Sequence, residues 1–168
     1  MAENLNSCDD NCELILTRNA KTVYRTAYLR VGNRYDAEDV MQEVFMRYVR
    51  YRPEFENTEH EKAWFIRAAI NASSTHTRHL SARREVPLED EVPAPDPAVP
   101  DDELLQAIMR LPKSQRSVIQ LYYYDGVPTK EIAESLGKSD AAVRIILTRA
   151  REKLKKIIEE ERRKDQYV

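Results

Sequence analysis

Seven basic side chains stand between Lys138 and Lys156: Lys138, Arg144, Arg149, Arg151, Lys153, Lys155 and Lys156. Only Asp140 and Glu152 oppose them. Arginine forks pair with guanine edges or hold backbone phosphates, so the chemistry on offer is nucleic-acid binding. A second basic stretch runs from Lys62 to Arg84 and holds Lys62, Arg67, Arg78, Arg83 and Arg84 with no acid. Asn71, Ser73, Ser74, Thr75, His76 and Thr77 lie within it, and Trp64 stands just upstream. Short polar groups beside an aromatic suit unpaired or distorted DNA. Taken alone, Trp64 reads better as a core anchor, and the Ser/Thr cluster reads equally as a plain loop. Asp36, Glu38, Asp39 and Glu43, with Gln42, form a set of opposite polarity. Such a face repels phosphate; it is a solvated surface or, beside Phe45, a contact for a basic protein partner.

Catalysis and metal binding have little to stand on. Cys8 and Cys12, four apart in the leader, read as two reduced surface thiols. His60, His76 and His79 are scattered and complete no metal site with them. The three glycines, Gly32, Gly126 and Gly137, make no phosphate-cradling loop. No catalytic residue, metal or cofactor is expected.

These side chains need helices to hold them. Ile132, Ala133 and Leu136 give one short helix an inner face, with Thr129 as a candidate cap for Lys130–Leu136. Gly137 permits a tight turn. Ser139 then caps a helix from Asp140 to about Glu160, whose Val143, Leu147, Ala150 and Leu154 form an inward stripe. At about 100° per residue, Ala141, Arg144, Ile145, Thr148 and Arg149 point away from that stripe. The pattern is a helix-turn-helix, whose second helix can enter a major groove. A solvated helix with a basic C-terminus accounts for the charge alone; capped helix, glycine turn and basic second helix together point to DNA. Upstream, Leu104, Leu105, Ile108 and Leu111 mark a short helix, and Pro112 with Ser114 introduces another. In the first half, Leu14, Val23, Tyr24, Ala27 and Tyr28 are spaced for one helix. Asp36 is a candidate N-cap before the stripe Ala37, Val40, Met41, Val44, Phe45, Tyr48 and Val49. A third helix begins near Glu61 with Trp64, Phe65, Ala68 and Ala69.

Between these halves the chain reads VPLEDEVPAPDPAVPDDE, five prolines and seven acids without a base. Repeated proline enforces an extended tether. The expected architecture is all-α: a helical domain over residues 11–85, an acidic linker over 86–103 and a helix-turn-helix domain over 104–162. The net charge of the 168 residues is −2, from 27 bases and 29 acids. Residues 104–168 carry 14 bases and nine acids, so the acidic excess sits in the tether. No apolar run is long enough to span a membrane, and the polar, acidic N-terminus lacks the pattern of a signal peptide, which places the chain in the cytoplasm.

The order of these features resembles the sigma-70 family of transcription initiation factors, over about residues 14–158. DAEDVMQEVFMRY (Asp36–Tyr48) looks like the core-binding helix of that family. KAWFIRAAINASSTHTR (Lys62–Arg78) is similar to the segment that recognises and opens the upstream edge of the bubble. LPKSQRSVIQLYYYDGVPTKEIAESLGKSDAAVRIILTRAREKL looks like the promoter-distal helix-turn-helix. Two domains and a short linker match the small extracytoplasmic-function (ECF) group.

The resemblance implies a sigma factor that binds core RNA polymerase and directs initiation at a specific regulon, stress- or envelope-responsive. It implies docking on the largest-subunit clamp helices through Asp36, Asp39, Gln42, Glu43 and Phe45, and a flap contact by the second domain. Trp64, Arg67, Asn71, Thr75, Arg78, Arg83 and Arg84 would serve the minus-ten element, Asn71 in a pocket for a flipped base. Ser139, Ala141, Arg144, Ile145, Thr148 and Arg149 would read the minus-thirty-five element. Thr75 stands where many relatives carry Asp or Asn, and Ile145 where a polar residue is common. An anti-sigma factor, frequently membrane-anchored, is the implied antagonist. The competing expectation is a dimeric helix-turn-helix regulator that binds a palindrome without polymerase. For the sigma reading, the near-neutral total predicts weak DNA binding by the free chain, with promoter affinity appearing when polymerase holds both domains.

Overall fold

The computed structural model describes residues 10–83 and 103–167. Among them are seven α-helices and no strand: α1 Asp10–Val31, α2 Arg34–Tyr51, α3 Thr58–Arg83, α4 Glu103–Met109, α5 Lys113–Ile119, α6 Thr129–Leu136 and α7 Asp140–Gln166. The all-α expectation holds. The linker expected over 86–103 falls almost wholly outside the described residues, as do Arg84 and Cys8.

The first three helices pack around Val23, Leu29, Val40, Val44, Phe65 and Ala69, all essentially inaccessible to water. Phe65 is the hub of an aromatic cluster. Its ring centroid lies 5.0 Å from Trp64, 5.3 Å from Tyr48, 6.3 Å from Phe55 and 6.5 Å from Phe45. Edge-on and tilted pairs like these add attraction beyond the area they bury. Glu61 locks α3 to α1, since its buried carboxylate accepts from Arg18 Nε at 2.9 Å and Asn19 Nδ2 at 2.6 Å.

The later helices gather around α7, whose Val143, Leu147, Ala150 and Ile157 are buried against Ile108, Val118, Ile119, Leu121 and Ile132. Between α5 and α6 the chain takes a π-helical turn over Gln120–Tyr124. Its wider winding turns Gln120 fully inward, where Nε2 donates to Thr26 Oγ1 on α1 and to Asp125 Oδ2, both at 2.8 Å.

Several local expectations change. The N-cap of α2 is Asn33, not Asp36: Asn33 Oδ1 accepts from Asp36 N at 2.9 Å, and Asp36 sits inside the first turn. Helix α6 begins at Thr129 itself, after Pro128, with no side-chain cap. Helix α3 starts at Thr58, three residues ahead of Glu61. Leu14 is exposed rather than packed. Ser139 caps α7 by accepting from Ala142 N at 3.1 Å, and Gly137 closes α6 at φ +64, where a side chain would be strained. Helix α7 runs on to Gln166, because a tail polar on every side carries no periodic signal of where it ends. Cys12 is not a surface thiol: it is wholly buried and disulfide-bonded.

Candidate nucleic-acid interface

Helix α7 carries the first surface. Ser139, Ala141, Arg144, Ile145, Thr148 and Arg149 are all exposed, opposite the buried Val143–Leu147–Ala150 stripe. Arg144 is held along the helix by Asp140, with Nε and Oδ2 3.0 Å apart. Ile145 stands half in water as an apolar contact of the kind that meets a thymine methyl. The aromatic pair Tyr122 and Tyr123 is also exposed, and the Arg151 guanidinium lies 5.5 Å from the Tyr123 ring centre. Tyr122 and Tyr123 belong to the π-helical turn that follows α5.

Helix α3 carries the second. Arg67, Asn71, Thr75 and Arg78 are exposed and, at about 100° per residue, share an arc of about 60–80°. Thr75 Oγ1 donates to Asn71 O at 3.1 Å, which ties its hydroxyl to the helix. Trp64 shares the same arc but is packed between Tyr48, Phe55 and Phe65 instead of standing with the polar stripe. Arg83 ends α3, and its side chain lies outside the described residues, as Arg84 does. A cleft of about 370 Å³ opens along this stripe, lined by Asn71, Ser74, Thr75 and Arg78, with Ser135 and Leu136 of α6 as its far wall.

Helix α2 carries the third. Asp39, Gln42 and Glu43 are exposed; Asp36 and Phe45 are half-buried. Met46, 52% exposed, falls within the acidic arc. Sequence reasoning passed it over because it lies off the buried stripe. An exposed methionine among carboxylates suits a protein partner with a mixed apolar and basic surface. Asp36, Asp39 and His76 bring one ligand atom each within 4.8 Å of one another. That grouping is already accounted for by a helix-to-helix tie, His76 Nε2 to Asp36 Oδ1 at 2.8 Å.

Electrostatics single out the region between the two groups of helices. Burial pushes Arg30 down to about 10. Burial also lowers Lys113, helped by the nearby charges of Arg30 and Arg116, and lowers Arg116. Asp125 is raised by burial, against the pull of Lys62, Gln120 and Arg25. The fold therefore favours the protonated carboxyl, so Asp125 contributes stability below its raised pKa and loses it as pH climbs through that value. Asp125→Asn is expected to raise Tm by about 2 °C at neutral pH. Calorimetry over a pH series checks this, and the gap to the parent should narrow on acidification.

No described helix is long and apolar enough to cross a membrane. Residues 15–83 match sigma-70 region 2, and residues 101–154 match sigma-70, region 4. The chain is 31% identical over 134 residues to the ECF RNA polymerase sigma factor SigL of Mycobacterium tuberculosis, covering 74% of this chain and 76% of that protein. It is 29% identical over 143 residues to the ECF RNA polymerase sigma factor SigM of Bacillus subtilis, covering 79% of this chain and 86% of that protein. It is also 29% identical over 153 residues to the ECF RNA polymerase sigma factor BldN of Streptomyces coelicolor, with 84% of this chain and 58% of that protein covered. The chain thus spans less than two thirds of the Streptomyces protein. Among solved structures, the sigma factor RpoE in complex with the anti-sigma factor NepR from Bartonella quintana shares the fold, at a TM-score of 0.63 and 20% identity. That match covers 89% of this chain and 94% of the other.

Proposed function

The chain belongs to the sigma-70 family, in its extracytoplasmic-function group, and on that premise we propose that it docks on core RNA polymerase, selects promoters and helps to open them. It performs no catalysis itself and works in the cytoplasm, where polymerase and promoter meet. Residues 11–85 would form the polymerase-docking and strand-capturing unit, residues 104–162 the duplex-reading unit, and 86–103 the tether. The observation that carries this reading is the segregation of surfaces. An acidic arc with Met46 occupies α2, while exposed cationic and polar faces occupy α3 and α7.

Each surface has a physical role. Asp39, Gln42, Glu43 and Met46 meet the polymerase clamp, with Asp36 and Phe45 supporting them from the same helix. Arg67, Asn71, Thr75 and Arg78 hold the displaced strand of the minus-ten element, and Arg83 and Arg84 extend that path. The α7 face reads the minus-thirty-five duplex. Two modest contacts sharing one tether gain affinity through effective concentration. An anti-sigma factor that covers these faces is the expected antagonist, and the regulon is a narrow one of the stress or envelope kind. No observation favours the dimeric regulator.

In vitro transcription with bacterial core polymerase and a promoter library tests the whole. Transcripts should start downstream of two spaced elements and depend on this chain. Binding to core polymerase no better than that of an unrelated acidic protein would end the proposal. A sharper check is the pair Asp39→Arg and Glu43→Arg. Both side chains are exposed, so Tm should hold while affinity for core polymerase falls about 30-fold or more, as expected for like charges brought face to face.

A further inference from the structure

Three cations gather between the two groups of helices with no acid to meet them. Arg30 on α1 donates through Nη1 to Ser117 Oγ at 3.2 Å and through Nη2 to Ser74 Oγ at 3.0 Å. Lys113 Nζ on α5 donates to Thr77 Oγ1 at 3.3 Å. Arg116, one turn further along α5, is only 4% exposed, and its Nε and Nη1 are buried without a hydrogen-bond partner, as is Arg30 Nε. Lys113 feels the charges of both arginines. Among the described residues no carboxylate bonds to any of the three.

A charge taken out of water is costly unless an opposite charge meets it, and neighbouring like charges add to that cost. Hydroxyls satisfy some of the donors here but offset none of the charge. Buried charges are ordinarily paired, so the counter-charge for this cluster comes from outside the described helices.

A route from solvent exists. The cleft of about 370 Å³ along α3 is lined by Arg30 and Arg78, together with Asn71, Ser74, Thr75 and Ser135. No acid lines it. Small-ligand pockets run from about 300 to 1,000 Å³, so this one suits an anion carrying a modest organic group. Arginine presents planar, paired N–H donors that match phosphate oxygens. Four cations without an acid favour a doubly charged phosphate over a singly charged carboxylate.

We propose that this cleft binds a small phosphate-bearing ligand, either inorganic phosphate or the phosphate of a nucleotide, held by Arg30 and Arg78 with Lys113 and Arg116 adding charge from α5. An occupant lies against Asn71, Thr75 and Arg78, so it and the displaced strand exclude one another. That consequence, unlike the binding itself, rests on the functional reading above.

Thermal melting of the free full-length chain in phosphate-free buffer is the first test. Inorganic phosphate and AMP are titrated separately against sodium chloride of equal ionic strength, which removes general screening. At least one of them should raise Tm, as a ligand of the folded chain must, with half-saturation at about 1 mM or lower. Whichever acts at the lower concentration names the source. Arg116→Met should melt higher than the parent without phosphate, since an unmatched buried charge is gone, and should lose most of the phosphate-dependent rise. Lys21→Gln removes an exposed cation of α1 outside the cleft and should keep that rise. By isothermal titration calorimetry, Arg30→Met should bind phosphate about tenfold more weakly than the parent. No saturable rise with either probe, or a rise that survives in both Arg30→Met and Arg116→Met, overturns the site. Short single-stranded DNA that gives the rise where neither probe does would assign the cations to the strand path and overturn it equally. In promoter-directed transcription, the tighter probe should inhibit the parent more than Arg30→Met, and equal inhibition removes the competition. A parent that fails to bind core polymerase removes the functional reading, while the melting result stands on its own.

Discussion

Replacing Arg144 and Arg149 together by Ala is expected to cut promoter-directed transcription by about 100-fold while leaving core-polymerase binding intact. Both side chains project from the exposed face of α7, and the only described ion pair either makes is the exposed one between Arg144 and Asp140. Such i,i+4 surface pairs stabilise little, so Tm should not move. A bidentate arginine–guanine contact is worth about 1–3 kcal/mol, and a total of about 3 kcal/mol is already about 100-fold. Single variants separate base reading from phosphate holding. Loss of a base contact relaxes the preference at one position of the minus-thirty-five element. Loss of a phosphate contact weakens all promoters alike and lowers the salt dependence by about one unit. Run-off transcription from promoters randomised at that element reads out both. Full activity of the double variant would mean that α7 does not read the duplex.

The α7 surface was legible in the sequence because its signals agree. Val143, Leu147 and Ala150 recur at helical spacing, Gly137 supplies the left-handed turn, and Ser139 supplies the cap. Local propensity and packing pull the same way there. The boundary of α2 was harder to read, since Asn33 and Asp36 are both capping residues. What decides between them is the closure of Asn33 onto the Asp36 amide, a matter of three-dimensional geometry. Cys12 was misplaced at the surface because the polar residues before it hide that it faces inward on α1. The π-helical turn at Gln120–Tyr124 was not legible either, since it departs from the 3.6-residue period by which helices are read. Least legible of all was the cluster of buried cations between the two groups of helices: Arg30 on α1 lies far in the chain from Lys113 and Arg116 on α5, and only the packing of the halves gathers the three.

The fold itself hinges on one ring. Phe65→Ala should destabilise the chain by about 3–5 kcal/mol, since it removes a wholly buried aromatic from among Trp64, Tyr48, Phe55 and Phe45. Total stabilities of native proteins are only about 5–15 kcal/mol, so helices α1–α3 would lie close to their unfolding threshold. The consequence reaches function without Phe65 touching a partner. Tyr48 and Phe45 belong to α2 and Trp64 and Phe65 to α3, so the cluster fixes the angle between the acidic arc of α2 and the polar stripe of α3, the proposed contacts for polymerase and the displaced strand. Losing it should abolish polymerase binding at temperatures where the second half of the chain, with its own core around Ile108, Ile119 and Leu147, stays helical. Guanidinium titration followed by near-ultraviolet circular dichroism measures the loss directly. Phe65→Leu, which keeps most of the volume, should cost less than half as much and retain binding. A loss under about 1 kcal/mol for Phe65→Ala would show that the angle between α2 and α3 is held elsewhere. In that case the buried Glu61 with Arg18 and Asn19 would be the remaining tie between α1 and α3.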